Sequence, residues 1–152
     1  MQTPCGMGEH FHAYWELMTT EPKRITFAVI DRASGRLAGT SSFLGIDSRH
    51  RLLEIGYTFF HPDFRGTRVN PETKLLMLRE AFEAGAVRVQ FTVAAVNARS
   101  RAAVVKLGAK QEAILRNHRI TWQGEQRDTV IFSIVAQEWP EVGRRLRARL
   151  AA

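Results

Sequence analysis

Three apolar stretches in the first half of the chain follow the pattern of half-buried β-strands. They are residues Ile25 to Ile30, Leu37 to Leu44 and Arg51 to Phe60. Ser34 and Gly35 separate the first two as turn residues, so the pattern predicts an antiparallel meander. Upstream, apolar residues recur every three or four positions between Glu9 and Met18, which predicts a short amphipathic helix.

Beyond Phe60, helical and strand patterns alternate. Asn70 as N-cap, Pro71 in the first turn and Glu72 at the positive end predict a helix that runs to Gly85. Further elements follow along the chain: a strand from Val87 to Val93, a helix from Ala98 to Leu107 ended by Gly108, two strands over Ala109 to Leu115 (extended toward Trp122) and Asp128 to Val135, and an arginine-rich terminal helix. This order predicts one α/β (α+β) domain over residues 1–152.

Composition is that of a folded globular protein, with 45% apolar and 24% charged residues. No apolar run approaches the roughly 18 residues of a membrane span, and the first residues lack the order of a secretory signal. A lone Cys5 excludes an internal disulfide. We therefore expect a cytoplasmic protein. Its net charge of +7 attracts anions but does not choose between nucleic acid and a phosphorylated cofactor.

The segment Phe64 to Lys74, FRGTRVNPETK, carries the strongest chemical signal. It joins a strand to a helix whose first turn leaves backbone N–H groups free, and such a terminus suits an anion. Its residues add cations, a hydroxyl and close backbone approach: Arg65, Gly66, Thr67, Arg68 and Lys74. A pyrophosphate would fit. The alternative is a capped helix with solvated basic residues, and this segment alone leaves both open.

A second segment, VAAVNARS, places Asn97 at the end of a strand and Ser100 in the next helical turn. Open α/β sheets bind ligands beyond the carboxyl ends of their strands. Asn97 offers donors and acceptors to an amide-rich ligand such as pantetheine, and Ser100 can donate a proton. Taken alone, Asn97 is more often only an N-cap.

Three segments together resemble the GNAT acetyltransferases, in particular the ribosomal-protein-alanine N-acetyltransferase (RimJ/RimL-like) branch. They are LEIGYTFFHPDFRGTRVNPETKLLMLREAFEAGAVRVQF, VNARSRAAVVKLGA and RDTVIFSIVAQEW. The resemblance implies a GNAT fold with a mixed central sheet, acetyl-CoA as co-substrate and no metal. It also implies cofactor contacts from Phe59, Phe60, Arg65, Gly66, Thr67, Arg68, Val69, Asn70, Lys74, Asn97 and Arg101. Ser100, Arg101 and Lys74 would lie near the thiol or near the phosphates.

Departures from the family pattern qualify the resemblance. Arg68 and Asn70 stand where the phosphate loop has Gly or Ala, and Val104 replaces the tyrosine that many relatives use as general acid. The family's first strand is expected to be missing, which makes the domain short at its amino terminus. A second copy of the chain would cover the sheet edge left open, so a homodimer is one expectation.

Acetyl transfer to an amine needs a base, an oxyanion donor and an acid. We expect Glu54, on the strand before the phosphate loop, to act as general base, although an exposed strand glutamate is an equal alternative. The backbone N–H of Phe60 or a neighbour would stabilise the oxyanion, and Ser100 or water would protonate the thiolate. The acceptor is a protein N-terminus or a small-molecule amine.

Two other functions remain open at this stage. A catalytically weak GNAT domain that binds acyl-CoA as a sensor would explain the missing tyrosine. A nucleic-acid or ribosome-binding module would explain the charge but not the motif order, and no RNA-binding signature is present. The five histidines show no metal-binding spacing.

Overall fold

The computed structural model describes residues 12, 16, 19–121 and 123–152. Of the helix predicted over Glu9 to Met18, only His12 and Glu16 belong to the described residues, and both are helical. The rest of that prediction lies outside them, as does Trp122.

Six strands form one sheet within the described residues, in the order β1-β2-β3-β4-β6-β5. Their bounds are β1 Ile25–Ile30, β2 Leu37–Asp47, β3 Leu52–Phe60, β4 Arg88–Ala94, β5 Lys110–Ile120 and β6 Gln126–Val135. Only the central pair, β3 with β4, is parallel, and the other neighbours are antiparallel. The predicted mixed sheet with its antiparallel amino-terminal meander is confirmed.

Helices α1 Val69–Glu83, α2 Ala98–Leu107 and α3 Trp139–Ala151 all contribute to the main core against one face of the sheet. Alternate strand residues such as Val89, Phe132 and Ile134 point into this core, where they meet Leu78 of α1 and Leu146 of α3. The intervening residues of the same strands therefore point to the opposite face, which we call the non-helical face. Among the described residues, no helix is both long and apolar enough to cross a membrane.

The two helix starts near the proposed site differ in how well the sequence predicts them. Helix α2 begins after Asn97, whose side-chain oxygen accepts the Ser100 N–H at 3.0 Å, as a capping residue does. Helix α1 begins at Val69, so the prediction that Asn70 caps it is wrong. Pro71 falls in the first turn in either case. Backbone N–H groups of a first turn have no helical partner, so proline, which lacks this group, is compatible with either start.

Candidate active site

The central parallel pair of strands separates toward its carboxyl edge. Strands β3 and β4 are paired only where Leu52 to Glu54 meets Arg88 to Gln90. Beyond that point β3 continues to Phe60 and β4 to Ala94 without a ladder between them. Since parallel strands end at the same edge of a sheet, the gap opens there, at the place where α/β sheets bind ligands.

A β-bulge in β3 accompanies this separation. Between Gly56 and Phe59 the strand advances three residues while β2 advances only two, from Ser42 to Thr40. Tyr57 lies at the bulge with a positive φ of 47°, a rare conformation for a large side chain. A bulge bends its strand and increases its twist, which is consistent with β3 turning away from β4.

Backbone groups at the end of β3 face the gap. The N–H of His61 donates to the Ala38 carbonyl of β2 at 2.8 Å. Because successive residues of a strand direct their backbone groups to opposite sides, the N–H and carbonyl of Phe60 are directed toward the gap. That carbonyl accepts a 2.9 Å hydrogen bond from Arg65 Nε, and the Arg65 guanidinium lies 5.3 Å from the centre of the Phe59 ring. The structure thus brings Phe59, Phe60 and Arg65 together at the mouth of the gap.

The loop that follows presents a row of free donors. Within the described part of the chain, no hydrogen bond satisfies the backbone N–H groups of Gly66, Thr67, Arg68 or Asn70. They lie at the amino terminus of α1, where the helix dipole also favours negative charge. The loop is therefore suited to an anion.

Most side chains of this loop stabilise its conformation through local contacts. Thr67 Oγ1 donates to the Phe64 carbonyl at 2.7 Å and accepts the Val69 N–H at 3.3 Å. The Val69 side chain packs beside Phe60 and Phe64. Gly66 has a φ of 77°, which favours glycine.

Arg68 does not extend toward the gap. Its guanidinium donates to the Leu150 carbonyl near the end of α3 at 3.2 Å and lies 3.6 Å from the Glu72 carboxylate. This places the guanidinium at the negative end of a helix dipole, so the side chain of Arg68 is held by α3 and Glu72 while its backbone N–H is free.

Lys74 is buried between α1 and the strands β2 and β3, so the expectation that it projects outward from the first turn is wrong, while its place near the thiol or the phosphates stays a prediction. Its ammonium donates to Ser41 Oγ at 3.0 Å and to Thr58 Oγ1, and these two hydroxyls lie 2.7 Å apart. Burial lowers the pKa of Lys74 from its ordinary 10.5 to about 7. The lysine connects α1 to the bulged part of β3, because Thr58 directly follows Tyr57.

Glu54 lies at the last paired position of β3, opposite Gln90, and points to the non-helical face. Burial raises the pKa of this half-buried carboxyl, while contacts with Thr92 and Gln90 and the positive charge of Arg119 partly oppose the shift. A raised pKa makes the carboxylate a stronger base. The group therefore combines basicity with a position where the gap opens.

The start of α2 lies beside the end of β4, on the other side of the gap. Asn97 is exposed and Ser100 and Arg101 are half-buried. The Oδ1 of Asn97 serves the cap described above, which leaves its amide N–H groups for a ligand. Arg101 Nε is buried and has no hydrogen-bond partner among the described residues. Its partner would have to come from a bound molecule or from residues outside that set.

Sequence reasoning missed three residues that shape the site: Ser41, Tyr57 and Thr58. The two hydroxyl residues in otherwise apolar strands were a readable signal, whereas the conformation of Tyr57 was not. Among the described residues, no group of three or more His, Cys, Asp or Glu side chains could hold a metal ion.

Fold and site together define a protein suited to an extended, phosphorylated ligand at the carboxyl edge of its sheet. The sequence model of the Acetyltransferase (GNAT) domain matches residues 3–110, more than half of the chain. The chain therefore belongs to the GNAT acetyltransferase family.

Solved structures agree with this assignment. A protein classed as an acetyltransferase is 38% identical, with a TM-score of 0.90 over 97% of this chain and 78% of the other. A GCN5-related N-acetyltransferase from Brucella melitensis is 29% identical, with a TM-score of 0.86 over 91% of this chain and 63% of the other. A mutant of spermidine N-acetyltransferase SpeG from Vibrio cholerae, 18% identical over 86% of this chain and 75% of that one with a TM-score of 0.70, shows likeness of fold alone. No curated protein matches significantly.

Proposed function

We propose that this protein transfers an acetyl group from acetyl-CoA to a primary amine by direct attack on the thioester. The observation that carries the proposal is the separation of β3 from β4 beyond Glu54, which leaves the backbone edge of β3 unpaired. GNAT acetyltransferases use acetyl-CoA as co-substrate, and an extended pantetheine chain is amide-rich enough to pair with such an edge.

The cofactor would run from the gap to the phosphate loop. Pantetheine amides pair with the β3 edge near Phe59 and Phe60, and with Asn97 on the opposite side. The pyrophosphate takes the free N–H groups between Gly66 and Asn70, including that of Arg68, because four donors at a helix terminus match its charge. Arg65 and Arg101 supply cations on the two sides of the gap.

Each step of the chemistry has a candidate group in this arrangement. The amine nitrogen attacks the thioester carbonyl carbon, forming a C–N bond, and its proton passes to Glu54 directly or through water. The Phe60 N–H stabilises the oxyanion that forms. The C–S bond then breaks, and Ser100 or water protonates the leaving thiolate.

A sensor that binds acyl-CoA without efficient turnover is the second candidate, and one observation favours it. Val104, which stands at the family's tyrosine position, is 7% exposed and belongs to the core. No acid is therefore available from that position. The acceptor is the finer part of the proposal: it is a protein N-terminus, which the resemblance to the RimJ/RimL-like branch suggests, or a small-molecule amine.

The test combines binding with turnover. Thermal stability is measured with and without acetyl-CoA, and free thiol release is followed with a panel of peptides, amino acids, polyamines and aminoglycosides. The proposal expects stabilisation by acetyl-CoA and thiol release that depends on one class of acceptor. Stabilisation without release from any acceptor would favour the sensor, and the absence of both would refute the proposal.

A further inference from the structure

The β5–β6 hairpin places two arginines side by side on the non-helical face. Arg119 of β5 is the direct cross-strand partner of Arg127 of β6. On β6, Arg127 lies two residues before Thr129, which is paired with Leu115 of β5. Thr129 is in turn paired with Ala94 of β4, whose neighbours Val93 and Phe91 alternate into the core. Side-chain alternation therefore directs both arginines to the face on which Glu54 lies.

Among the described residues, neither arginine has a carboxylate within ion-pair distance, although the charge of Arg119 acts on the Glu54 carboxyl from farther away. Within the described residues, neither guanidinium forms a salt bridge or a hydrogen bond, and the Nε of the half-buried Arg127 is shielded from solvent without a partner. The adjacent carboxylate of Asp128 instead accepts the Asn117 N–H at 2.8 Å. Like charges directly opposite each other destabilise a sheet, so this pair is unfavourable unless an anion joins it.

The hairpin contains a β-bulge directly before Arg119. Between Leu115 and Arg119, β5 advances four residues while β6 advances two, and Asn117 in this bulge has a φ of 49°. Arg119 is then close enough to Glu54 for its charge to act on that carboxyl.

A cavity of about 380 Å³ lies between this hairpin and the end of β4. Arg127 lines it together with Ala94, Ala95 and Val96, the residues that lead to Asn97, and the acidic residues Glu125 and Asp128 line it as well. The cavity therefore connects Arg127, next to its cross-strand partner Arg119, with the place proposed for acetyl-CoA.

We propose that Arg119 and Arg127 bind a carboxylate of the acceptor, so that the substrate is a primary amine with a carboxylate a few bonds away. This inference rests on the proposed function, because it assigns the other end of the same acceptor to Glu54. Two guanidiniums and one base would orient such a molecule with its amine toward the thioester. A polyamine would meet the same pair of cations with the wrong charge.

The test compares pairs of acceptors in which a carboxylate is replaced by a carboxamide, together with one polycation. One pair is an amino acid and its carboxamide, a second pair is the peptide amides Ala-Asp and Ala-Asn, and spermidine serves as the polycation. The value of kcat/KM is measured at saturating acetyl-CoA for the wild type, Arg119→Gln and Arg127→Gln. Arg79→Gln, an exposed arginine of α1, is the charge-matched control.

The wild type should prefer the anionic member of at least one pair by about 10- to 100-fold, the range expected for hydrogen bonds to a charged group. The pair that shows the preference identifies the source of the carboxylate, a free amino acid or an acidic peptide. Each substitution of Arg119 or Arg127 should lower kcat/KM for the anionic member far more than for the neutral one, and Arg79→Gln should keep the preference.

Three results would overturn the inference. The wild type could show equal kcat/KM for the anionic and neutral acceptors of each pair, or a higher kcat/KM for spermidine, or its preference for the anionic acceptor could survive both arginine substitutions. The wild-type comparison decides even if a variant does not fold. Failure to bind acetyl-CoA, or to release thiol with any acceptor, would instead refute the proposed function on which the inference rests.

Discussion

Replacing Lys74 by methionine should remove a pH dependence from the stability of this protein. In the folded chain the buried ammonium has a pKa of about 7, against an ordinary value of 10.5. Between these two values the unfolded chain binds a proton that the folded chain does not. Stability must therefore rise with pH from about 7 to about 10, and it is lost again as the pH falls toward 7.

The expected magnitude follows from the size of the shift. One pKa unit corresponds to about 1.4 kcal/mol, so the free energy of unfolding should gain up to about 1.4 kcal/mol per pH unit in this window, and about 5 kcal/mol in total. Methionine matches the length of the lysine stem and carries no charge. It also leaves Ser41 and Thr58 hydrogen-bonded to each other at 2.7 Å, so it creates no unpaired hydroxyl.

The assay is urea unfolding of the wild type, Lys74→Met and Lys106→Met at several pH values between 6.5 and 10. Lys106 is exposed on α2 and controls for the loss of a lysine in general. The difference between wild type and Lys74→Met should change with pH, and the wild type should be the less stable protein near pH 7. Parallel curves for these two proteins across the whole range would refute the reasoning.

Three further predictions concern the proposed site. Glu54→Gln should lower kcat by about 10²- to 10⁴-fold with little change in the KM for acetyl-CoA. It should also remove an acidic limb of the pH–rate profile that lies above the ordinary glutamate pKa of 4.5, because burial raises the pKa of Glu54. Glu80→Gln, on an exposed position of α1, is the control, and unchanged kinetics of Glu54→Gln at every pH would exclude Glu54 as the base. Gly66→Ala should cost about 1–2 kcal/mol of stability in urea unfolding because Gly66 has a positive φ, and it should also raise the KM for acetyl-CoA. Gly85 has a similar φ and equal room for a Cβ atom, so Gly85→Ala should show only the stability loss. Equal KM values in the two variants would contradict a phosphate role for the loop. Arg65→Gln should raise the KM for acetyl-CoA about tenfold at low salt and by less at high salt, and a salt-independent effect would argue against an ionic contact.

The order of strands and helices could be predicted from the sequence because their signals are local. Helix α2 was predicted with both bounds correct, since Asn97 and Gly108 mark its ends with side-chain and backbone chemistry. The start of α1 was predicted less well because Pro71 is compatible with several positions in a first turn.

Two features of the site show what local signals can and cannot reveal. Lys74 is spaced three, four and seven residues from Met77, Leu78 and Ala81, so its place on the buried face of α1 was readable from helical periodicity. The bulge at Tyr57 and the pairing of Arg119 with Arg127 depend on strand register, which residues far apart in the chain decide together.

The central claim is that acetyl-CoA lies in the gap between β3 and β4, and amide hydrogen exchange tests it most directly. With saturating acetyl-CoA, exchange should slow at Phe60 and at the free N–H groups of Gly66, Thr67, Arg68 and Asn70, while the exposed turn around Ser48 and Arg49 should stay unchanged. Binding of acetyl-CoA that leaves exchange at Phe60 and at this loop unaltered would contradict the account.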